Sequence, residues 1–119
     1  MSEGYSPAPL GERKIYTGTL EPDFTLASWG SIQAEVRGNI AIITGVGIKA
    51  TNQVTSGKLC TFSGLSNAHY SVATGYVEGT SDNTFLLAMS ASGDANSINI
   101  ENLKNTNANM YFQLVTYIR

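Results

Sequence analysis

The C-terminal stretch Met110–Arg119 constrains the fold more than any other part of the chain. In strand alternation Met110, Phe112, Leu114, Thr116 and Ile118 point one way, and Tyr111, Gln113, Val115 and Tyr117 the other. A half-solvated edge strand carries charge or turn formers on its outer face. Here the second face is semi-apolar and able to hydrogen-bond. The pattern predicts a central strand, with one face in the core and the other against a neighbouring sheet or subunit. Its partners must come from far back in the sequence, so folding is complete only when the C-terminus docks.

The rest of the chain repeats a strand–turn rhythm, with no 3.6-residue apolar stripe. Residues Met1–Glu12 hold Pro7, Pro9, Gly4 and Gly11 and read as an arm or linker before a domain spanning 13–119. Arg13–Leu20 is a short first strand, and Glu21-Pro22-Asp23 a turn. Trp29–Arg37 buries Ile32, Ala34 and Val36, then turns at Gly38-Asn39 into Asn39–Ile48. That return strand has two uncharged faces, Ile40/Ile42/Thr44/Val46/Ile48 and Ala41/Ile43/Gly45/Gly47, so packing is expected on both. Gly45 and Gly47 predict a bulge or a close backbone approach.

Further strands are expected over Lys58–Leu65, Tyr70–Glu78, Thr84–Ser90 and Ser97–Leu103, separated by loops rich in Ser, Asn, Asp and Gly. About seven or eight short antiparallel strands at this spacing predict an all-β chain, a single β-sandwich or jelly-roll-like module.

Composition excludes several function classes. The 119 residues suffice for one core. Charged residues are 13% of the chain, against roughly 25% in an average globular domain. The seven Lys and Arg are dispersed and the net charge is -2. A nucleic-acid binder needs a basic stripe to neutralise phosphates, and an anionic membrane surface needs a basic cluster; neither partner is expected. Cys60 is alone and His69 is the one histidine, so neither a disulfide framework nor a zinc cluster is expected. The opening residues lack the basic and apolar regions of a secretory signal, and no apolar run approaches the ~20 residues of a spanning helix. A piece cut from a longer protein has the same properties.

Nothing in the residues predicts catalysis. Gly45-Val46-Gly47 lacks the third glycine and following helix of a dinucleotide fingerprint. Cys60 lies mid-strand beside apolar neighbours and reads as an inert thiol. Glu78 and Asp82 flank one turn, the minimum for a glycosidase pair, but read as solvated carboxylates, as do Glu35, Asp94 and Glu101.

Groups suited to sugars are present near the loops: His69, Tyr70, Asp82, Asn83, Asp94 and Asn96. Sugars present hydroxyl pairs to Asp and Asn and an apolar ring face to aromatics. Polar loops of any β-sandwich carry similar residues. Trp29, the one indole, is either a stacking platform or a cap on the core.

The back half carries Gly57-Lys58-Leu59-Cys60-Thr61-Phe62-Ser63-Gly64-Leu65, Val72-Ala73-Thr74-Gly75-Tyr76-Val77, Phe85–Met89, Ser97-Ile98-Asn99-Ile100 and the ending Tyr111–Ile118. In these stretches it resembles the C-terminal head or tip domains of phage tail, baseplate and receptor-binding proteins. Trp29–Ile48 resembles the preceding hairpin of such heads. Ser66-Asn67-Ala68-His69 departs from the proline-containing turn expected after Leu65. The resemblance implies a non-enzymatic homotrimer in a virion, without cofactors. Its implied partners are host-cell surface saccharide and other phage tail proteins. A structural trimerisation or attachment module contacting only proteins is the alternative.

Overall fold

The computed structural model describes residues 12–51, 54–79, 81, 83–104 and 108–119. Most of the arm at 1–12, and Asp82, lie outside the described residues. Nine strands are present among them: β1 (Arg13–Thr17), β2 (Thr19–Leu20), β3 (Phe24–Arg37), β4 (Ile40–Ala50), β5 (Gly57–Thr61), β6 (Ser71–Val77), β7 (Thr84–Met89), β8 (Ser97–Glu101) and β9 (Met110–Tyr117). All pair antiparallel in one sheet of order β1-β3-β4-β9-β6-β7-β8-β5-β2. The chain is all-β, with the sheet curled nearly shut.

The near-closure comes from the first strand. β1 pairs with β3 at one end of the sheet and β2 with β5 at the other, joined by Gly18 alone. Gly18 N still donates to Ile32 O on β3 at 2.8 Å, while Glu21 N donates to Leu59 O on β5 at 2.9 Å. The strand expected over Arg13–Leu20 is therefore one path that changes partner midway. The turn at Glu21-Pro22-Asp23 closes with Phe24 N donating to Glu21 O at 3.0 Å.

The closing strand is central, hydrogen-bonded to β4 on one side and β6 on the other. Met110, Phe112, Leu114 and Thr116 are buried, as their alternation predicted. The same alternation buries Ile32, Ala34 and Val36 on β3, Phe85, Leu87 and Met89 on β7, and Ile98 and Ile100 on β8. These inner faces share one core with Ile43, Leu59, Phe62 and Val77. Burying a side chain of this size is worth roughly 1.5–3 kcal/mol. Two cross-strand pairs make that core close-packed: a Cβ on Gly45 would lie 2.2 Å from the Phe112 ring, and one on Gly75 would lie 2.1 Å from the Phe85 ring. Both rings fill space that a larger partner residue would occupy.

Two expectations are corrected. β3 begins at Phe24 rather than Trp29, because a bulge hides the alternation of its first half. β4 does not keep one phase: Ala41 and Ile43 face the core, yet after Gly47 the buried residue is Ile48. Among the described residues no second sheet covers the outer faces of β4 and β9, leaving Val115 56% and Tyr117 50% exposed, with Ile42 exposed beside them.

Candidate functional site

The site grows out of the bulge at Gly47. Leu26 of β3 pairs with Ile48, but the next pair is Ser31 with Val46, so residues 27–30 oppose Gly47 alone. On its other side β4 is irregular at the same place: Gly45 pairs with Phe112 and Ile48 with Met110, leaving Val46 and Gly47 opposite Tyr111. Bulges of this kind re-aim side chains. Here Trp29 is turned outward, 56% exposed, with its six-membered ring against Gly47. Gly47 has φ +64°, and a Cβ there would meet that ring at 2.8 Å. The position thus requires glycine both for its left-handed backbone and for the indole lying on it.

Three aromatic rings follow in a row across β3, β9 and β6. Trp29 stacks on Tyr111 with centroids 6.2 Å apart and planes 18° apart. Tyr111 neighbours Tyr76, its paired residue on β6, at 6.4 Å and 33°. The Tyr111 hydroxyl donates to Glu78 Oε1 just beyond the end of β6. That bond to a carboxylate holds the phenol proton and raises the Tyr111 pKa above its usual value, with desolvation and the Glu78 charge adding to it. Trp29 was the residue legible in sequence. Tyr111 and Tyr76 were not, because only the β6–β9 register brings them together.

The other expected ligand residues do not join this row. His69 lies at the opposite end of β9, its ring edge-on to Tyr117 at 5.4 Å. Tyr111 and Tyr117 are six residues apart on one strand, about 20 Å. Tyr70 is exposed beside Val72, Leu86 and Ala88 in a shallow hollow that Glu101 also lines. Asn83 closes the β6–β7 turn, its carbonyl accepting from Val77 N at 2.8 Å. Asp94 is exposed, with its carboxylate 3.4 Å from Lys58 Nζ. The Asn96 carbonyl accepts from Phe62 N at 2.7 Å, which ties the β7–β8 loop to β5. Thus Asn83, Asp94 and Asn96 have structural partners, and the six expected positions among the described residues do not gather at one place. Trp29 as a cap on the core is overturned by its exposure.

Near His69 the structure holds a buried polar hub that sequence reading missed. Asn67 is fully buried, and its Nδ2 reaches the carbonyls of His69 at 2.5 Å and of Met89 and Ser90 at 3.2 Å each. Its Oδ1 accepts from the buried Thr116 hydroxyl at 2.5 Å, which itself lies 2.6 Å from the Ser71 hydroxyl. Asn67 N donates to Ala95 O, Ala68 N to Tyr117 O and Arg119 N to Ser66 O, so the C-terminus is clamped here.

The remaining candidate chemistry is engaged or muted. Cys60 is buried, and burial pushes its thiol up to about 12, which keeps it a poor nucleophile at neutral pH. Glu35 lies between Arg37 at 3.1 Å and Arg13 at 3.8 Å. No group of three or more His, Cys, Asp or Glu is placed to hold a metal among the described residues. A second surface, on the outer face of β1-β3-β4-β9, carries the cross-strand row Ile15–Glu35–Ile42–Val115. Ile15, Ile42 and Val115 in that row are exposed, with Tyr117 close by. In comparisons with known proteins, no family model, no curated protein and no solved structure matches this chain.

Proposed function

We propose that this chain is a non-enzymatic head module that recognises host-cell surface saccharide, at the tip of a phage tail, baseplate or receptor-binding protein. The observation that carries the reading is the outward-turned Trp29 indole, seated on Gly47 and continued by Tyr111 and Tyr76. An exposed aromatic row offers the apolar face on which a sugar ring stacks, and flanking hydroxyl and carboxylate groups take its hydroxyls. Each such contact is weak. Three jelly-roll-like heads in a homotrimer, the assembly implied by the resemblance, raise the effective affinity through avidity. The reading is tested with the intact oligomer on a glycan array and in a pull-down with host cell wall. Binding in both supports it; two empty results overturn it.

A second reading has its own support. The exposed row of Ile15, Ile42 and Val115 favours a structural module that contacts only proteins, including copies of itself. Glycan binding separates the two, and light scattering reads the assembly that both share. In the structural reading Val115→Glu dissociates the assembly, and no glycan binds at any stage.

A further inference from the structure

We infer that the Trp29–Tyr111–Tyr76 row and Glu78 together form a subsite for a neutral or amino-bearing pyranose chain, one that disfavours acidic sugars. This rests on the saccharide reading above and adds where the sugar lies and which sugars fit. Ring orientation comes first. A site for a quaternary ammonium closes rings around the cation, whereas here neighbouring planes differ by only 18° and 33°. The rings run across three strands, Trp29 and Tyr76 exposed and Tyr111 half-buried between them, which gives a chain of sugar rings apolar surface to lie against.

Hydrogen-bond polarity at the end of the strip sets the selectivity. Glu78 forms no ion pair among the described residues, and its carboxylate receives the Tyr111 hydroxyl. A carboxylate offers acceptors only. The Tyr111 proton is already committed to Glu78, so the phenol oxygen also faces the ligand as an acceptor. Two acceptor groups side by side call for ligand donors: a pair of hydroxyls, an amide N–H or an ammonium. A uronate or sulfate placed there sets acceptor against acceptor and charge against charge, with no cation paired to Glu78 among the described residues to relieve it.

The chain's single tryptophan makes the subsite measurable, because all indole fluorescence comes from Trp29. Oligomers of N-acetylglucosamine, of glucosamine and of galacturonic acid are titrated into the intact protein, followed by Trp emission and calorimetry. The first two are expected to bind and shift the emission, with galacturonate at least about ten-fold weaker, a difference of about 1.4 kcal/mol. Trp29→Ala and Tyr111→Ala should each weaken binding at least about ten-fold, while Glu78→Gln narrows the gap between neutral and acidic chains. Galacturonate binding as tightly as the neutral chains, an unchanged gap in Glu78→Gln, or failure of all three probes overturns the proposal. Array binding that survives Trp29→Ala sinks this subsite but leaves saccharide recognition standing; an empty array together with an empty pull-down sinks both.

Discussion

The two ends of β9 are built on opposite terms. At the Thr116 end, buried Asn67 saturates its amide on the carbonyls of three residues and a threonine hydroxyl, and the terminal backbone is tied down around it. At the Tyr111 end the polar groups are sparsely partnered. One phenol–carboxylate bond joins Tyr111 to Glu78, and nearby Asn109 Oδ1 is a buried side-chain acceptor with no partner among the described residues. An end whose hydrogen-bonding capacity is used internally serves the fold. An end that leaves rings and acceptors uncommitted is where a ligand gains something by arriving. That contrast, more than the count of polar residues near loops, separates structural from binding positions in this chain.

The largest expected effect lies at the saturated end. Asn67→Ala strands several carbonyls and the Thr116 hydroxyl in the core, and should cost about 3–4 kcal/mol. Thermal denaturation checks it; a loss under about 1 kcal/mol would mean that water replaces the amide and the contrast is false. Next is the bulge. Gly47→Ala forces a side chain into a left-handed backbone beneath the indole, an expected loss of about 1–2 kcal/mol. The same variant should alter Trp29 fluorescence, because the ring must lift. Trp29→Ala itself should cost less than about 1 kcal/mol, since the indole is more exposed than buried. Urea denaturation that shows a larger loss would return Trp29 to a structural role.

Asn109→Ala probes the unpartnered acceptor. Removing a buried group that has no partner should leave stability within about 0.5 kcal/mol of the parent or raise it slightly, as chemical denaturation would show. The smallest effect is a titration. The Glu78 carboxylate lifts the Tyr111 pKa above its ordinary value of 10.0, so Glu78→Gln should lower it. Followed by tyrosinate absorbance, the Tyr111 step, assigned by its loss in Tyr111→Phe, should move to lower pH, with no change in melting temperature at pH 7. An unmoved titration curve would show that the Tyr111–Glu78 bond does not hold in solution.

Much of the fold was legible because alternation reports which face a residue occupies. It placed the core residues of β7, β8 and β9, and the hairpin at Gly38-Asn39. Alternation does not report neighbours. The pairing of Tyr76 with Tyr111 is a long-range register, fixed by the curl of the whole sheet rather than by either strand's own pattern. The four-residue bulge hid the first half of β3, because its residues obey neither strand phase. Among loop residues the failure has a different cause. Asn and Asp suit both sugar hydroxyls and turn geometry, so Asn83 and Asn96, which sit in backbone-bonded turns, looked the same as ligand positions. Asn67 was passed over as one more loop residue, since burial of a loop asparagine leaves no periodic trace.

The change of partner at Gly18 has a consequence for how copies of this chain can meet. β1 and β2, the two edge strands that Gly18 joins, are only five and two residues long, so each offers a foreign strand a short template. Growth into fibrils by edge-to-edge templating is thereby handicapped. Among the described residues an assembly has more to gain from side chains than from paired backbone, so its geometry is written in surface residues that mutation alters one at a time.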